Sequence, residues 1–395
     1  MTNQNLITTH DQHVMGTYGR FPIAISHGKG SRLYDFEGKE YIDFTSGIGV
    51  NSIGYGNEAW VQAITTQAAK LGHMSNLYYT EPAAQVAEAI CTRTGYSKVF
   101  FSNSGAESNE GLIKLARKYA RDKYGDGKNK IITLEGSFHG RTITTIAATG
   151  QEHFHQHFFP FTEGFCHVPT GDIGALKAAC GSDTCAVLIE LIQGEGGVLP
   201  LDKAYVQEVA DFCKANDILL MVDEVQTGAG RTGKLFAFQQ YEILPDAVSF
   251  AKGIAGGMPF GGFFVNEKCS QVLTPGTHAT TYGGNPMGAA AAKVVLDTLT
   301  DEMLAGVCKK GQYITERVKA MNSPYVAEVR GLGLMIGVVI QNTTHREIVG
   351  KLNDAGLLAL VAGAATLRFL PPLTISYEEI DAGLAILEKI LLLEQ

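Results

Sequence analysis

The chain has 395 residues, of which 45% are hydrophobic and 18% are charged, a balance typical of globular rather than disordered proteins. Its net charge of −8, with no basic run, argues against nucleic acid or an anionic membrane as the main partner. No apolar stretch is long enough to cross a bilayer, and the seven cysteines show no CxxC spacing. The N-terminal residues have no apolar h-region, so we expect no secretory leader. These features predict a cytoplasmic protein with reduced thiols.

The N-terminal segment carries two short strand patterns, at Ser31–Phe36 and Tyr41–Phe44, and too little apolar pattern to fold alone. Beyond it, helical and strand patterns alternate, and the apolar strand runs are nearly continuous. This alternation predicts an α/β fold with a mostly parallel sheet covered by helices on both faces. In chain order, we predict helices at Glu58–Leu71 and Pro82–Thr94, a strand at Lys98–Ser102, a helix at Ala106–Tyr124, strands at Lys130–Leu134 and Ala186–Leu191, a helix at Lys203–Asn216, and strands at Ile218–Val222 and Ala247–Phe250.

The last third of the chain changes character and predicts a smaller α+β domain. Its predicted elements are helices at Met287–Leu299, Glu302–Met321, His345–Ala355 and Ser376–Leu393, a long strand or strand pair at Arg330–Ile340, and a strand at Thr366–Leu370. We expect the N-terminal segment, residues 1–58, to pack with this small domain, residues 291–395. Residues 59–290 would then form the large domain.

Two motifs first suggest other chemistry. The segment Gly228–Lys234 reads GAGRTGK after an apolar strand and nearly matches a nucleotide-binding loop, but Leu235 stands where that loop needs Ser or Thr. The side chains of His153, His155 and His157 would share one face of a strand, as a metal site requires, but the interleaved phenylalanines favour a packed loop. We therefore expect a plain glycine-rich loop at the first motif and no metal at the second.

Four other features favour a single site. Ser104 stands where a strand meets a helix, and the free N–H groups of a helix start favour an anion such as phosphate. Asp223 and Lys252 each follow an apolar strand, so parallel pairing would bring an acid and an amine to one sheet edge. Phe138 and Arg141 add a ring-stacking surface and a carboxylate fork. Each feature alone has an ordinary structural reading, but together they favour pyridoxal phosphate (PLP) with Lys252 as its Schiff-base nucleophile.

Seven strings, in this order, carry a resemblance to a known family: NSGAESNE, GSFHGRT, IQGEGG, VDEVQTGAGRTGK, AKGIAGGMPFG, TTYGGNP and LRFLPPL. The sequence resembles the class III, or ω-, aminotransferases of PLP fold type I over nearly the whole chain, from about Gly16 to Leu392. The resemblance implies a large domain with a seven-stranded sheet, a smaller domain built from the two chain ends, and pyridoxal 5′-phosphate as the cofactor. It also explains GAGRTGK as a loop of this family.

The resemblance implies roles for individual residues. Lys252 would carry the cofactor and shuttle a proton, and Asp223 would pair with the ring nitrogen as the second catalytic residue. The other implied cofactor contacts are Ser104, Gly105, Ala106, Phe138, His139, Glu224, Val225, Gln226 and Thr281, of which Thr281 would reach the phosphate of a neighbouring subunit. The implied substrate contacts are Tyr18, Arg141, Glu195, Thr280 and Arg368, with Glu195 occupying Arg368 between substrates. A homodimer with shared active sites would follow.

Within the family, Tyr18–Pro22 and Ser46–Asn51 resemble acetylornithine aminotransferases in particular. Ornithine aminotransferases usually carry a Tyr where Ile48 stands, and that Tyr helps to hold free ornithine, so its absence favours an N-acylated substrate. The expected reaction moves the δ-amino group of N²-acetylornithine to 2-oxoglutarate, in arginine biosynthesis, giving N-acetylglutamate 5-semialdehyde and glutamate. Succinylornithine, succinyldiaminopimelate, ornithine and 4-aminobutyrate transaminases stay open as alternatives, as do a non-catalytic binding protein and a nucleotide-binding enzyme. Thr280 stands where Ser is common, which leaves the acyl group open.

Overall fold

The structure, a computed structural model, describes residues 2–393. Its helices, in chain order, are α1 (Asn3–His13), α2 (Ser46–Gly49), α3 (Glu58–Lys70), α4 (Glu81–Thr94), α5 (Gly105–Tyr124), α6 (Ile143–Ala148), α7 (Ile173–Ala179), α8 (Lys203–Ala215), α9 (Phe238–Tyr241), α10 (Pro286–Thr298), α11 (Asp301–Ala320), α12 (His345–Ala355) and α13 (Tyr377–Leu393). Short 3₁₀ turns lie at Glu152–Phe154, Lys252–Ala255 and Glu267–Cys269.

The strands, in chain order, are β1 (Ile25–Lys29), β2 (Arg32–Asp35), β3 (Glu40–Asp43), β4 (Lys98–Ser102), β5 (Lys130–Leu134), β6 (Phe165–Val168), β7 (Thr184–Ile189), β8 (Ile192–Gln193), β9 (Leu199–Pro200), β10 (Leu219–Asp223), β11 (Ala247–Phe250), β12 (Gly261–Val265), β13 (Val326–Leu332), β14 (Met335–Ile340), β15 (Leu357–Leu358), β16 (Leu360–Ala362) and β17 (Thr366–Phe369). The predicted elements are all present, and most of their ends lie within one or two residues of the predicted ones.

The central sheet has seven strands in the order β4-β12-β11-β10-β7-β5-β6. All its neighbouring pairs are parallel except those of β12. Alternate residues of β10 belong to two separate cores, Leu220 and Val222 on one face and Leu219 and Met221 on the other. A strand buried on both faces needs a continuous apolar sequence, which is the pattern the sequence carries. The predicted α/β fold with a mostly parallel, helix-covered sheet is confirmed.

Strand β12 was not predicted from the sequence. It begins with two glycines and runs antiparallel between β11 and β4, so that Phe250 is paired with Gly262 and Gly262 with Phe101. The connection from β11 is a short 3₁₀ turn rather than a crossover helix. An antiparallel return needs only a short connection, which places the Lys252 turn at the edge of the sheet between two paired strands.

The two ends of the chain meet in the fold. Strand β3 pairs in parallel with β15, joining Ile42 to Leu357 in a four-stranded sheet of order β1-β2-β3-β15. A further antiparallel sheet has the order β13-β14-β17-β16, and its hairpin β13–β14 confirms the predicted strand pair. The N-terminal segment thus pairs with the C-terminal part of the chain, while the exact domain boundaries stay predictions.

Helix α1 was also not predicted. It has no buried residues and its sequence is polar, so no apolar face announces it. Its start is capped by Thr2, and Asn3 Nδ2 donates a 3.0 Å hydrogen bond to Asp35 Oδ2, which fixes the helix to the end of β2.

The two rejected motifs have structural roles. Arg231 of GAGRTGK is 2% exposed and donates hydrogen bonds to the carbonyls of Leu334 and Pro371, so the loop joins the large sheet to the C-terminal part. The segment of His153 and His155 forms a turn and a packed loop rather than a strand. Within residues 2–393, no group of three or more potential ligands could hold a metal ion, no helix is long and apolar enough to cross a membrane, and all seven cysteines are free.

Candidate active site

A cavity of about 610 Å³ lies at the C-terminal ends of β10 and β11, the edge of a parallel sheet where α/β proteins bind ligands. Helix α5 begins at this cavity, and the loop between β5 and α6 closes one side of it. Many of the sequence-predicted site residues line it: Tyr18, Ser104, Gly105, Ala106, Phe138, His139, Arg141, Asp223, Val225, Gln226 and Lys252. The structure therefore brings segments distant in sequence to one cavity.

Lys252 follows β11 and is the first residue of a 3₁₀ turn. Its φ of +45° is unusual for a residue with a side chain and costs on the order of 1–3 kcal/mol, a strain that clusters at functional sites. Burial lowers the pKa of Lys252 below its ordinary value, while Glu195 and Asp223 partly oppose that effect. A lysine with a lowered pKa has more of the neutral amine that acts as a nucleophile.

Asp223 ends β10 and is 4% exposed. Its Oδ2 accepts a 2.7 Å hydrogen bond from Asn109 Nδ2 and lies 2.9 Å from His139 Nδ1, while its Oδ1 accepts from the Val225 N–H at 3.0 Å. Asn109 also donates to the His139 carbonyl at 2.8 Å. The carboxylate is thus held rigidly at the cavity wall. Asn109 was not identified from the sequence, although its place one turn into α5, after Gly105, was a usable signal.

The start of α5 presents backbone N–H groups to the cavity. The Ser104 hydroxyl caps the helix, accepting from Glu107 N at 3.3 Å and donating to Glu107 Oε2 at 3.0 Å. A Cβ atom at Gly105 would lie 2.6 Å from Val225 Cγ1, so this position has no room for a side chain. A bare backbone at the positive end of a long helix is a ready-made site for an anion.

Glu190 is a buried carboxyl group at the cavity that was not identified from the sequence. Its oxygens accept hydrogen bonds from the Phe138 N–H at 2.8 Å and the Gly194 N–H at 3.2 Å, which ties the two loops together. Burial raises its pKa to about 7, with His139 lowering the pKa and Asp223 raising it. The usable signal was a carboxylate at the end of the apolar run that forms β7.

Arg368 and Glu195 form an ion pair beside the site. Arg368 Nη1 lies 2.6 Å from Glu195 Oε1 and 3.2 Å from Gln226 Oε1, and its side chain is 3% exposed. Burial would raise the pKa of Glu195, but the charge and hydrogen bond of Arg368 hold it below its ordinary value. The Nε atom of Arg368 is buried without a partner among the described residues.

Five predicted site residues do not line this cavity: Glu195 and Arg368, which lie beside it, and Glu224, Thr280 and Thr281. The Glu224 carboxylate is fully buried and accepts hydrogen bonds from the N–H groups of Ala237 and Phe238, both at 2.7 Å. Thr280 and Thr281 line a neighbouring cavity of about 350 Å³. Asn103 borders both cavities and its Nδ2 donates to Thr280 Oγ1 at 3.3 Å.

Comparisons with known proteins agree with this geometry. Residues 15–391 match the family described as aminotransferase class-III. The acetylornithine aminotransferase of Haemophilus ducreyi is 48% identical over 99% of both chains, and the succinylornithine transaminase of Citrobacter koseri is 43% identical over 95% of this chain and 94% of its own. An ornithine aminotransferase structure from Toxoplasma gondii, with partial occupancy of PLP at its active site, superposes with a TM-score of 0.95 at 31% identity, covering 99% of this chain and 95% of that one. The chain therefore belongs to the class III aminotransferases.

Proposed function

We propose that this protein is a PLP-dependent aminotransferase that moves the δ-amino group of N²-acetylornithine to 2-oxoglutarate, giving N-acetylglutamate 5-semialdehyde and glutamate. The observation that carries the proposal is a single cavity lined by a half-buried Lys252, by a rigidly held Asp223 and by Arg141, with Arg368 beside it. Relatives named acetylornithine aminotransferase, at 42–48% identity over nearly the full length, support the choice of substrate.

The residues present fit pyridoxal phosphate. The N-terminus of α5 suits its phosphate, and Gly105 leaves the backbone bare there. Asp223, fixed by Asn109 and by contact with His139, suits a protonated ring nitrogen. When bound, pyridoxal phosphate supplies an electron sink at the carbon that loses a proton and carries the amino group between the two half-reactions.

Lys252 would hold the cofactor covalently and then move the proton. Its lowered pKa favours the neutral amine, which can attack a carbonyl and can also accept a proton from the substrate carbon. Its strained backbone fixes the base of the side chain at the end of β11. Borohydride reduction followed by peptide mapping tests this role, because the cofactor label should be found on Lys252.

The two arginines would bind the carboxylates of the two substrates. Acetylornithine presents a δ-amine, so its carboxylate lies far from the reacting carbon, whereas 2-oxoglutarate has one carboxylate directly beside the keto carbon. Arg141 would take the far carboxylate of either substrate, and Arg368 would take the near one. Glu195 would neutralise Arg368 during the first half-reaction, which prevents an α-carboxylate from orienting the wrong amine, and would yield when the diacid arrives.

Sequence relatives and the residue Ile48 support the choice of an acetylated amino donor. Ile48 lies in the left-handed turn α2 with a φ of +65°, two residues before Val50, which lines the cavity. An aliphatic side chain there offers no hydrogen bond to a free α-amine. A panel of acetylornithine, succinylornithine, ornithine and 4-aminobutyrate with 2-oxoglutarate, read as glutamate formed, tests the choice. A higher kcat/KM for any donor other than acetylornithine would overturn it.

A homodimer is proposed because Thr280 and Thr281 line an outer cavity beside large exposed apolar side chains. Leu77, Tyr78 and Tyr79 are 87%, 63% and 105% exposed, and an apolar patch of this kind usually marks an interface. In a dimer, Thr281 could complete the phosphate site of the second copy. Sedimentation should give twice the 42.4 kDa chain mass. A monomer with full activity would contradict shared sites.

A further inference from the structure

The loop that carries the three histidines packs Phe154 against Arg141, although the proposed reaction does not use this loop. The Cζ atom of Arg141 lies 4.1 Å from the centroid of the Phe154 ring and 5.7 Å from that of Phe138. The two rings contact each other edge to face, with centroids 5.6 Å apart. The guanidinium therefore rests in a corner formed by two aromatic rings.

Arg141 is held differently from Arg368. Arg368 is paired with Glu195, whereas within residues 2–393 the direct contacts of the Arg141 guanidinium are the two rings, with no hydrogen bond or ion pair. A carboxylate partner would orient Arg141 but would occupy its donors. An aromatic face attracts the cation and leaves its N–H groups free to bind a carboxylate.

The loop holds Phe154 firmly enough to position another side chain. Gln151 Nε2 donates to the Ser137 carbonyl at 2.9 Å, and His155 Nε2 lies 2.8 Å from the Ile146 carbonyl. The two accepting carbonyls, of Ser137 and Ile146, lie on either side of Arg141 in the sequence, so these hydrogen bonds tie the loop to the segment that carries the arginine. The His153 ring packs on Phe154 with centroids 3.8 Å apart.

We propose that Phe154 is a positioning and specificity residue, whose ring holds the Arg141 guanidinium ready for the far carboxylate of a substrate. Phe154 does not line the cavity and acts through Arg141. The inference rests on the proposed function, in which acetylornithine and 2-oxoglutarate both carry a carboxylate far from the reacting carbon. It predicts that the enzyme discriminates in favour of substrates with that second carboxylate.

The test compares substrates that have the far carboxylate with analogues that lack it. Phe154→Leu and the longer, unbranched Phe154→Met remove the ring, and each should raise KM for acetylornithine and 2-oxoglutarate about three- to tenfold, the range typical of a cation–π contact. The values for N-acetylputrescine as donor and pyruvate as acceptor, which lack that carboxylate, should stay unchanged. Phe154→Tyr keeps a ring and should restore the wild-type KM. Phe158→Leu is the matched control, because Phe158 is in the same loop, is 54% exposed and does not contact Arg141.

Equal losses for substrates with and without the far carboxylate would overturn the inference, because they would indicate a general disturbance of the loop. An unchanged KM in both ring-free variants would also overturn it. Failure of the proposed function is a separate outcome, in which the wild-type enzyme does not turn over acetylornithine. In that case the comparison of 2-oxoglutarate with pyruvate still tests Phe154 with whichever amine donor the enzyme uses.

Discussion

The change Glu195→Gln tests how one cavity serves two different half-reactions. Glutamine keeps the shape of the side chain and can still accept a hydrogen bond from Arg368, but it removes the negative charge. Hydrogen bonds to charged groups contribute about 1.5–3 kcal/mol, and a bond from the Arg368 cation to a neutral amide belongs at the lower end of that range, whereas an ion pair belongs at its upper end. The contact between Arg368 and Glu195 is a 2.6 Å ion pair, so the substitution removes about 1–2 kcal/mol of competition for Arg368.

That difference corresponds to roughly 5- to 30-fold in an equilibrium. We therefore expect the ratio of kcat/KM for glutamate to that for acetylornithine to rise by about this factor in Glu195→Gln. Single-turnover absorbance changes of the bound cofactor measure each half-reaction separately. Glu328→Gln is the control, because it breaks the ion pair with Arg330 at 2.7 Å outside the cavity. If both half-reactions change equally, the pair is a static structural contact and the switch is refuted.

Three further predictions follow from the cavity. Asp223→Asn removes the charge opposite the ring nitrogen and should lower kcat by about a hundredfold or more, and near wild-type turnover would contradict its role. Gly105→Ala should weaken cofactor affinity about tenfold, because the new Cβ would lie 2.6 Å from Val225, whereas the control Gly306→Ala, with open space around it, should not. Equal cofactor affinities of the two variants in a fluorescence titration would count against this phosphate site. Capture of the cofactor needs the neutral amine of Lys252, whose pKa is lowered, so the capture rate should rise with pH and reach half its maximum below the ordinary pKa of lysine. Because Glu195 raises the pKa of Lys252, Glu195→Gln should move this midpoint to lower pH, and a shift to higher pH would refute the electrostatic account.

Sequence patterns predicted the parts of the fold that depend on local periodicity. The strand at Ala247–Phe250, in which every residue is buried, was predicted to the residue, because a strand buried on both faces needs a largely apolar run. Strand β12 was not predicted from the sequence, because its first two residues are glycines and one of its pairing partners is distant in sequence. Helix α1 was not predicted either, because it buries no side chain and therefore has no apolar stripe.

The site residues divide in the same way, into those predicted from local sequence patterns and those that depend on tertiary contacts. Lys252 and Asp223 were accessible to sequence reasoning because each follows an apolar strand, and parallel pairing of β10 with β11 then brings them to one edge. The support of Asp223 by Asn109, and the tie between two loops at Glu190, depend on contacts between distant segments. The contact of Arg141 with the Phe154 ring is likewise a tertiary feature, and the histidine pattern of that loop suggests a metal site rather than this contact.

Transfer of isotopic nitrogen tests the central claim most directly. The enzyme is incubated with N²-acetylornithine labelled with ¹⁵N at the δ-amine and with unlabelled 2-oxoglutarate, and the products are separated and analysed by mass spectrometry. The account predicts ¹⁵N in the amino group of glutamate, with an equal amount of N-acetylglutamate 5-semialdehyde formed. Glutamate without label, or no glutamate from this donor while another amine in the panel is turned over, would contradict it.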